Sequence, residues 1–144
     1  MILADEAATA ALGRAIAGRL RAGDVVALSG PLGVGKTSLA RAILYGLGHR
    51  YEVPSPTFAI VQPYEEIEPP VWHVDLYRLE AAVELDELGL DGAAEAVLIV
   101  EWPERAGDGA WPDALRLTFA FGDGGARSLT AKVPPAWQQR WPSR

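Results

Sequence analysis

One stretch of the sequence has the pattern of a phosphate-binding loop. Residues 30–37 read Gly-Pro-Leu-Gly-Val-Gly-Lys-Thr, which matches G-x-x-x-x-G-K-[ST]. Glycines let backbone N–H groups converge on one anion, and the helix that follows adds the positive end of its dipole. Lys36 would reach the β- and γ-phosphates of a nucleotide, and the Thr37 hydroxyl would ligate Mg²⁺. The predicted phosphate-binding residues are Pro31, Leu32, Gly33, Val34, Gly35, Lys36, Thr37 and Ser38.

Two acidic residues stand where such a site needs a carboxylate. Asp75 directly follows the apolar run 71–74, and Glu101 directly follows the apolar run 97–100. Because the carboxyl ends of parallel strands meet at one edge of a sheet, we expect both side chains near the metal. The residues leave open which of the two ligates Mg²⁺ and which activates the attacking water.

The segments around these residues alternate between helical and strand-like periodicity. The run 97–100 has no polar face, so we expect a central strand in a sheet that is covered on both sides. The predicted order is helix 7–20, strand 25–28, helix 38–47, strand 58–61, strand 71–74, helix 80–88 and strand 97–100.

The last third of the chain changes to a period-two pattern. Apolar residues alternate from Leu115 to Phe121, and residues 128–133 would pair with them as a hairpin. The tail 134–144 is expected to be loosely held. No repeat or linker divides the chain, so we expect one domain over residues 1–144. Its fold would be α/β, a three-layer arrangement like that of P-loop NTPases, with a central mostly parallel sheet and a C-terminal antiparallel hairpin.

Composition narrows the class of protein. Nineteen acidic residues against thirteen basic ones leave a net charge of -6, which disfavours a direct grip on nucleic acid. The absence of cysteine excludes disulfides, a thiolate nucleophile and thiolate-bound metals. No apolar run approaches the ~20 residues of a membrane span, so we expect no membrane association and a cytoplasmic location.

Four blocks, in this order, make the chain resemble the bacterial TsaE ATPases of tRNA threonylcarbamoyladenosine synthesis. They are the phosphate loop, Ser-Pro-Thr-Phe at 55–58, His-Val-Asp-Leu-Tyr-Arg at 73–78 and Glu-Trp-Pro at 101–103. The chain departs from the family at Pro31, where Asp is common, and at Val34, where Ala is common. Pro31 also lacks an N–H for the phosphate cradle.

The resemblance implies an accessory subunit that binds ATP and Mg²⁺ and hydrolyses ATP. Such a subunit joins a TsaD-like threonylcarbamoyl transferase and its TsaB-like paralogue, and it meets tRNA only through that complex. The resemblance implies that Lys36 and Thr37 hold the phosphates and the metal. Glu101 would be the second metal ligand and Asp75 would act on the attacking water, or the two carboxylates would exchange these roles.

Further site residues follow from the same resemblance. Ser55 and Thr57 resemble a switch segment whose hydroxyls lie near the γ-phosphate. Arg78 is a candidate for a charge-stabilising or partner-contacting cation, and Thr9 for a contact to adenine. His73 is expected to be a packed or hydrogen-bonded histidine rather than a metal ligand.

Two other classes of phosphate-loop protein remain open. Small-molecule kinases usually close an Arg-rich lid over the phosphates, whereas the region after Arg78 is acidic. A GTP-operated switch typically recognises guanine through an Asn-Lys-x-Asp loop, and this chain contains no Asn.

Overall fold

A single sheet of seven strands with two α-helices accounts for the regular structure in the computed structural model, which describes residues 1–54, 61–79, 82–90, 94–107 and 109–142. The strands are β1 Ile2–Leu3, β2 Val25–Ser29, β3 Val61–Tyr64, β4 Val71–Asp75, β5 Val97–Glu101, β6 Leu115–Phe121 and β7 Arg127–Lys132. The helices are α1 Glu6–Ala17 and α2 Lys36–Gly46. Short 3₁₀ helices span Ala82–Leu88, Pro103–Ala106, Asp123–Gly125 and Pro135–Trp137.

The strand order is β1-β7-β6-β2-β5-β4-β3. The four central strands β6, β2, β5 and β4 are parallel, and the margins β3, β7 and β1 are antiparallel to their neighbours. The predicted parallel sheet is therefore confirmed for its centre only. Short connections join β3 to β4 and β6 to β7, and such connections impose antiparallel pairing. The pairing of β6 with β7 confirms the predicted C-terminal hairpin.

Two predicted elements differ from the observed ones. The third strand begins at Val61 and runs to Tyr64, while residues 58–60 of the predicted strand lie outside the described residues. This strand contains Pro63, which an edge strand tolerates because one of its sides needs no N–H donor. The predicted helix 80–88 is a 3₁₀ helix over its described part, and Leu85 and Leu88 pack on the sheet with the three-residue period of that helix.

Both α-helices pack on the same face of the sheet. Asp5 caps α1 by accepting a hydrogen bond from the backbone N–H of Ala8, and the helix ends at Ala17 rather than at the predicted residue 20. The buried side chains on this face include Ile16 of α1 and Ile43 of α2. The all-buried strand β5 lies between β2 and β4, which confirms the expected central strand.

The opposite face of the sheet is covered without an α-helix in the described part of the chain. Val74, Leu98 and Val100 form an apolar cluster there. Leu85 of a 3₁₀ helix and Trp102 pack against it. The three layers expected from the sequence are present, and the third is made of 3₁₀ helices and loops.

The C-terminal tail packs into the fold along its described part, 134–142. Trp137 is 1% exposed and belongs to the core cluster under the helices. Arg140 stacks 4.2 Å from the centre of the Trp137 ring and donates to Asp24 from both terminal nitrogens, at 2.7 and 3.1 Å. These contacts hold a segment that composition alone suggested to be loose. Among the described residues, no helix is both long enough and apolar enough to cross a membrane.

Candidate functional site

The predicted phosphate loop lies between the central strand β2 and the helix α2. Gly30 has φ +142°, and a Cβ there would come within 2.8 Å of the Phe119 carbonyl oxygen, so only glycine fits this close approach. Gly35 precedes α2 with φ +116°, and no side chain caps the helix. The first backbone N–H groups of α2 are therefore not taken by a capping side chain and can bind an anion.

Lys36 points back over the loop and is only 4% exposed. Its Nζ donates to the carbonyl oxygens of Gly30 and, at 3.3 Å, Pro31, and lies 3.7 Å from the centre of the Trp102 ring. Burial lowers the pKa of Lys36, and the carboxylate of Glu101 partly offsets this effect. Pro31, which has no N–H to offer a phosphate, contributes a carbonyl that orients the lysine.

The first turn of α2 and the end of β5 meet in a buried polar contact. The Thr37 hydroxyl donates to Glu101, with distances of 2.9 Å to Oε1 and 3.1 Å to Oε2. On its other side, the Oε2 atom of Glu101 accepts a 2.6 Å hydrogen bond from Nε2 of His73. Glu101 is 2% exposed and His73 is fully buried. His73 is thus a hydrogen-bonded histidine, as expected.

Asp75 lies at the end of β4, directly opposite Glu101 in the strand register. Its Oδ1 accepts a hydrogen bond from the backbone N–H of Tyr77 at 2.9 Å. Burial raises the pKa of Asp75, the Tyr77 N–H opposes the rise, and the negative charge of Glu101 adds to it. The structure therefore brings both strand-end acids to the sheet edge beside the loop, with Glu101 in contact with Thr37.

The chemistry of these groups is compatible with Mg²⁺ and a nucleoside triphosphate. Thr37 and Glu101 present hard oxygen ligands, and Mg²⁺ is usually bound through one or two carboxylates together with substrate phosphates. Among the described residues, no cluster of three His, Cys, Asp or Glu side chains could form a metal cage by itself. The donor set is therefore suited to a metal that shares its coordination with a bound phosphate chain.

A cleft of about 570 Å³ opens beside the loop, on the side of the α1 N-terminus. Thr9 and Ser38, two of the residues predicted to contact the nucleotide, both line it. Asp5 and Arg127 also line it. The full lining is Leu3, Ala4, Asp5, Glu6, Ala7, Thr9, Gly33, Val34, Gly35, Ser38, Gly125 and Arg127.

Arg127 is a site residue that the sequence reasoning missed. Its Nε donates to the carbonyl oxygen of Val34 in the phosphate loop at 2.8 Å, and its Nη1 donates to the Gly125 carbonyl at 2.7 Å. The first contact joins residues 93 positions apart, so no local motif marks it. The only local signal is a cation two residues after the last glycine of the turn in the last hairpin.

Three predicted site residues remain, namely Arg78, Ser55 and Thr57. Arg78 is exposed in the turn after β4. The neighbouring Tyr77 packs against Trp102, with ring centres 4.9 Å apart, and Trp102 has the left-handed backbone φ of +60°. Ser55 and Thr57 lie outside the described residues.

Comparison with known proteins gives a consistent result. The family described as "Threonylcarbamoyl adenosine biosynthesis protein TsaE" matches residues 3–129. The tRNA threonylcarbamoyladenosine biosynthesis protein TsaE of Streptomyces coelicolor is 46% identical over 118 residues, which cover 78% of this chain and 80% of that protein. The protein of the same name from Nostoc sp. is 35% identical over 142 residues, covering 94% and 85%. The crystal structure of Bacillus subtilis YdiB matches with a TM-score of 0.82 and 26% sequence identity. The matched region covers 97% of this chain and 88% of the YdiB chain. The chain therefore belongs to the TsaE family.

Proposed function

We propose that this chain is a Mg²⁺-dependent ATPase that acts in the biosynthesis of threonylcarbamoyladenosine in tRNA. The observation that carries the ATPase assignment is the contact of the Thr37 hydroxyl, at the start of α2, with both carboxylate oxygens of Glu101. The pathway is supported by the family description and by the names of the curated relatives. The chain would act as an accessory subunit of a TsaD-like transferase and its TsaB-like paralogue. Its net charge of -6 favours indirect contact with tRNA.

The proposed roles follow from where each side chain lies. The uncapped N-terminus of α2 and the ammonium of Lys36 bind the phosphates, and the lysine exchanges its loop carbonyl contacts for phosphate oxygens. Thr37 and Glu101 hold the metal. Bound Mg²⁺ supplies neutralisation of charge on the β- and γ-phosphates.

Asp75 is the proposed water-activating carboxylate. It stands one strand away from Glu101 and has no hydrogen bond to Thr37 in the described structure. Its raised pKa makes it a stronger base than an ordinary Asp, which suits a group that orients the attacking water and takes up its proton. Positioning and electrostatics of this kind account for most of the catalysis in phosphoryl transfer.

Replacement in cells tests the proposal, and the two lysines of the chain provide a matched pair. In cells depleted of the native protein, tRNA nucleosides are quantified by mass spectrometry after expression of the parent chain, Lys36→Ala or Lys132→Ala. The parent and the exposed Lys132 variant should restore threonylcarbamoyladenosine, and Lys36→Ala should not. If the amount of threonylcarbamoyladenosine in tRNA does not fall after depletion, the proposed pathway is refuted. If Lys36→Ala restores the modification, the proposed need for ATP binding is refuted.

A second assay separates the ATPase from the two alternatives. The purified chain is combined with the transferase and its paralogue, and phosphate release is followed with ATP or GTP, with and without Mg²⁺. We expect release that needs both ATP and Mg²⁺. A phosphorylated small molecule in place of free phosphate would identify a kinase, and a preference for GTP would identify a GTP-operated switch.

A further inference from the structure

His73 is a polar side chain in a place where polarity has a cost. It is 0% exposed, and its Nδ1 has no hydrogen-bond partner among the described residues. Buried polar atoms are normally paired, and an unpaired one destabilises the folded state. Packing alone would be served better by an apolar side chain. The one polar contact that His73 makes within the described structure is the 2.6 Å hydrogen bond to Glu101.

The strand register explains how this contact arises. His73 pairs with Ile99 of the neighbouring strand β5. Glu101 lies two residues after Ile99 on that strand, so its side chain projects from the same face of the sheet as that of His73. Val71 and Ile99 both belong to the core cluster under α2, and His73 lies on the same face as Val71 because side chains alternate along a strand. His73 and Glu101 therefore both project towards the start of α2.

The carboxylate of Glu101 is held from two sides. Thr37 Oγ1 contacts both of its oxygens, and His73 Nε2 contacts Oε2 at the shortest distance of the three. A carboxylate accepts hydrogen bonds, so Nε2 of His73 carries a proton and donates to Oε2. The imidazole ring is therefore a hydrogen-bond donor aimed at the proposed metal ligand.

We infer that His73 is a positioning residue that sets the orientation of Glu101 for Mg²⁺. The inference rests on the proposed function, because it assigns Glu101 to the metal. The Thr37 hydroxyl has one proton, which it can donate to only one of the two carboxylate oxygens at a time. His73 is the second donor, and it holds Oε2 whichever oxygen Thr37 contacts. Ligands of metals are commonly oriented by such hydrogen-bonded neighbours, and removing one typically weakens metal affinity or activity ~10- to 100-fold.

The test uses three replacements of different reach. In His73→Gln the amide nitrogen can take the position of Nε2 and still donate to Glu101. In His73→Asn the side chain is one methylene shorter and cannot reach, and His73→Leu removes the donor while filling the space. Binding of a non-hydrolysable ATP analogue to the full chain is measured by calorimetry, once in Mg²⁺ and once in EDTA. The ratio of the two dissociation constants reports how much the metal improves binding.

We expect the Asn and Leu variants to lose about tenfold or more of the Mg²⁺-dependent gain while binding in EDTA stays near that of the parent. The Gln variant should keep the gain to within about threefold of the parent. Unfolding of the parent and the variants is measured in parallel, because His73→Leu removes an unpaired buried nitrogen and also takes a donor from the buried carboxylate of Glu101. If His73→Leu does not fold, the Gln and Asn pair decides the question.

Several outcomes would overturn the inference. An unchanged ratio in the Asn and Leu variants means that His73 has only a structural role, and equal losses in Gln and Asn mean that the donor to Glu101 is not what matters. In ¹⁵N NMR spectra of the parent, an unprotonated Nε2 in His73 would contradict its role as the donor to Glu101. If the parent itself gains nothing from Mg²⁺, the proposed function fails instead, so the two failures are distinguishable.

Discussion

The close packing of α1 on α2 makes Gly13 a sensitive position. A Cβ at Gly13 would lie 2.3 Å from the Ala42 methyl carbon and 2.9 Å from the Ala42 carbonyl carbon. Ordinary contact begins at 3.4 Å, so Gly13→Ala would have to push the two helices apart by about 1.1 Å at this point. The methyl group has no space of its own, because the nearest neighbours include backbone as well as side chain.

Two opposing effects set the magnitude. Overpacking a well-packed interface costs about 1–3 kcal/mol, while Ala in a helix interior is favoured over Gly by up to about 1 kcal/mol. A contact of 2.3 Å belongs in the upper part of the overpacking range, so after subtraction of the helix preference we expect Gly13→Ala to lower the free energy of unfolding by about 1–2 kcal/mol. For a domain of this size, that corresponds to a melting temperature lower by roughly 2–8 °C.

Gly18, which caps the C-terminal end of α1, provides the control. It has φ -66°, and a Cβ there would meet only carbonyl oxygens, the nearest at 3.7 Å. Gly18→Ala should therefore be neutral or slightly stabilising. Pairing Gly13→Ala with Ala42→Gly removes the worst contact but leaves the backbone atoms at 2.9 and 3.0 Å, so the double variant should recover only part of the loss.

Urea unfolding of the parent, Gly13→Ala, Gly18→Ala, Ala42→Gly and the double variant measures these differences directly. A Gly13→Ala variant as stable as Gly18→Ala would refute the close approach of the helices. If the double variant is as unstable as the sum of the two single variants, Gly13 matters for a reason other than its contact with Ala42. Equal slopes with urea are needed for the comparison, because a changed slope indicates a different unfolded or native ensemble.

Three further changes probe other parts of the molecule. Arg140→Ala should lower the free energy of unfolding by about 2 kcal/mol in urea titrations, because the largely buried carboxylate of Asp24 loses its ion pair and keeps only the backbone N–H of Arg21 as a donor. The exposed Lys132→Ala should change it little. Arg127→Ala should weaken the binding of a non-hydrolysable ATP analogue about tenfold, because the variant loses the hydrogen bond to the Val34 carbonyl of the phosphate loop. An affinity equal to that of the parent in calorimetry would exclude a role of Arg127 in nucleotide binding. Asp75 has a raised pKa in the folded protein, so its ionisation opposes folding at pH values above that pKa. Without divalent cations, Asp75→Asn should therefore be more stable than the parent at pH 7. This difference in stability should disappear as the pH falls below 3.8, the ordinary pKa of Asp, because the parent is then protonated in both states.

The sequence was sufficient for the parts of the site that depend on local order. The phosphate loop is a contiguous motif, and Glu101 follows a strand whose apolar run already indicates burial. Parallel strands bring their carboxyl ends to the same edge, so the approach of Glu101 and Asp75 to the loop follows from the fold class. The contact of Thr37 with Glu101, which distinguishes the two acids, needed the three-dimensional arrangement.

The missed features depend on pairs that are distant in the chain. Arg140 contacts Asp24, which lies 116 positions earlier in the chain. The Pro and Trp residues of the tail are compatible with a loose segment or a packed one, so the sequence does not reveal this contact. The third strand continues past the predicted residue 61 to Tyr64, and the sequence did not indicate this because Pro63 argues against a strand when its edge position is unknown. Gly13 likewise looks like an unfavourable residue within α1 until the neighbouring helix is in view.

The central place of β2 has a consequence for how the molecule opens. This strand is flanked by β5 and β6, and it leads directly into the phosphate loop. Amide protons in β2 and β5 are therefore expected to exchange with solvent only in the rarest openings, whereas the antiparallel margins β1 and β3 exchange earlier. The base of the loop would then remain folded while the margins fluctuate, so a partner could remodel an edge of the sheet without dismantling the phosphate cradle.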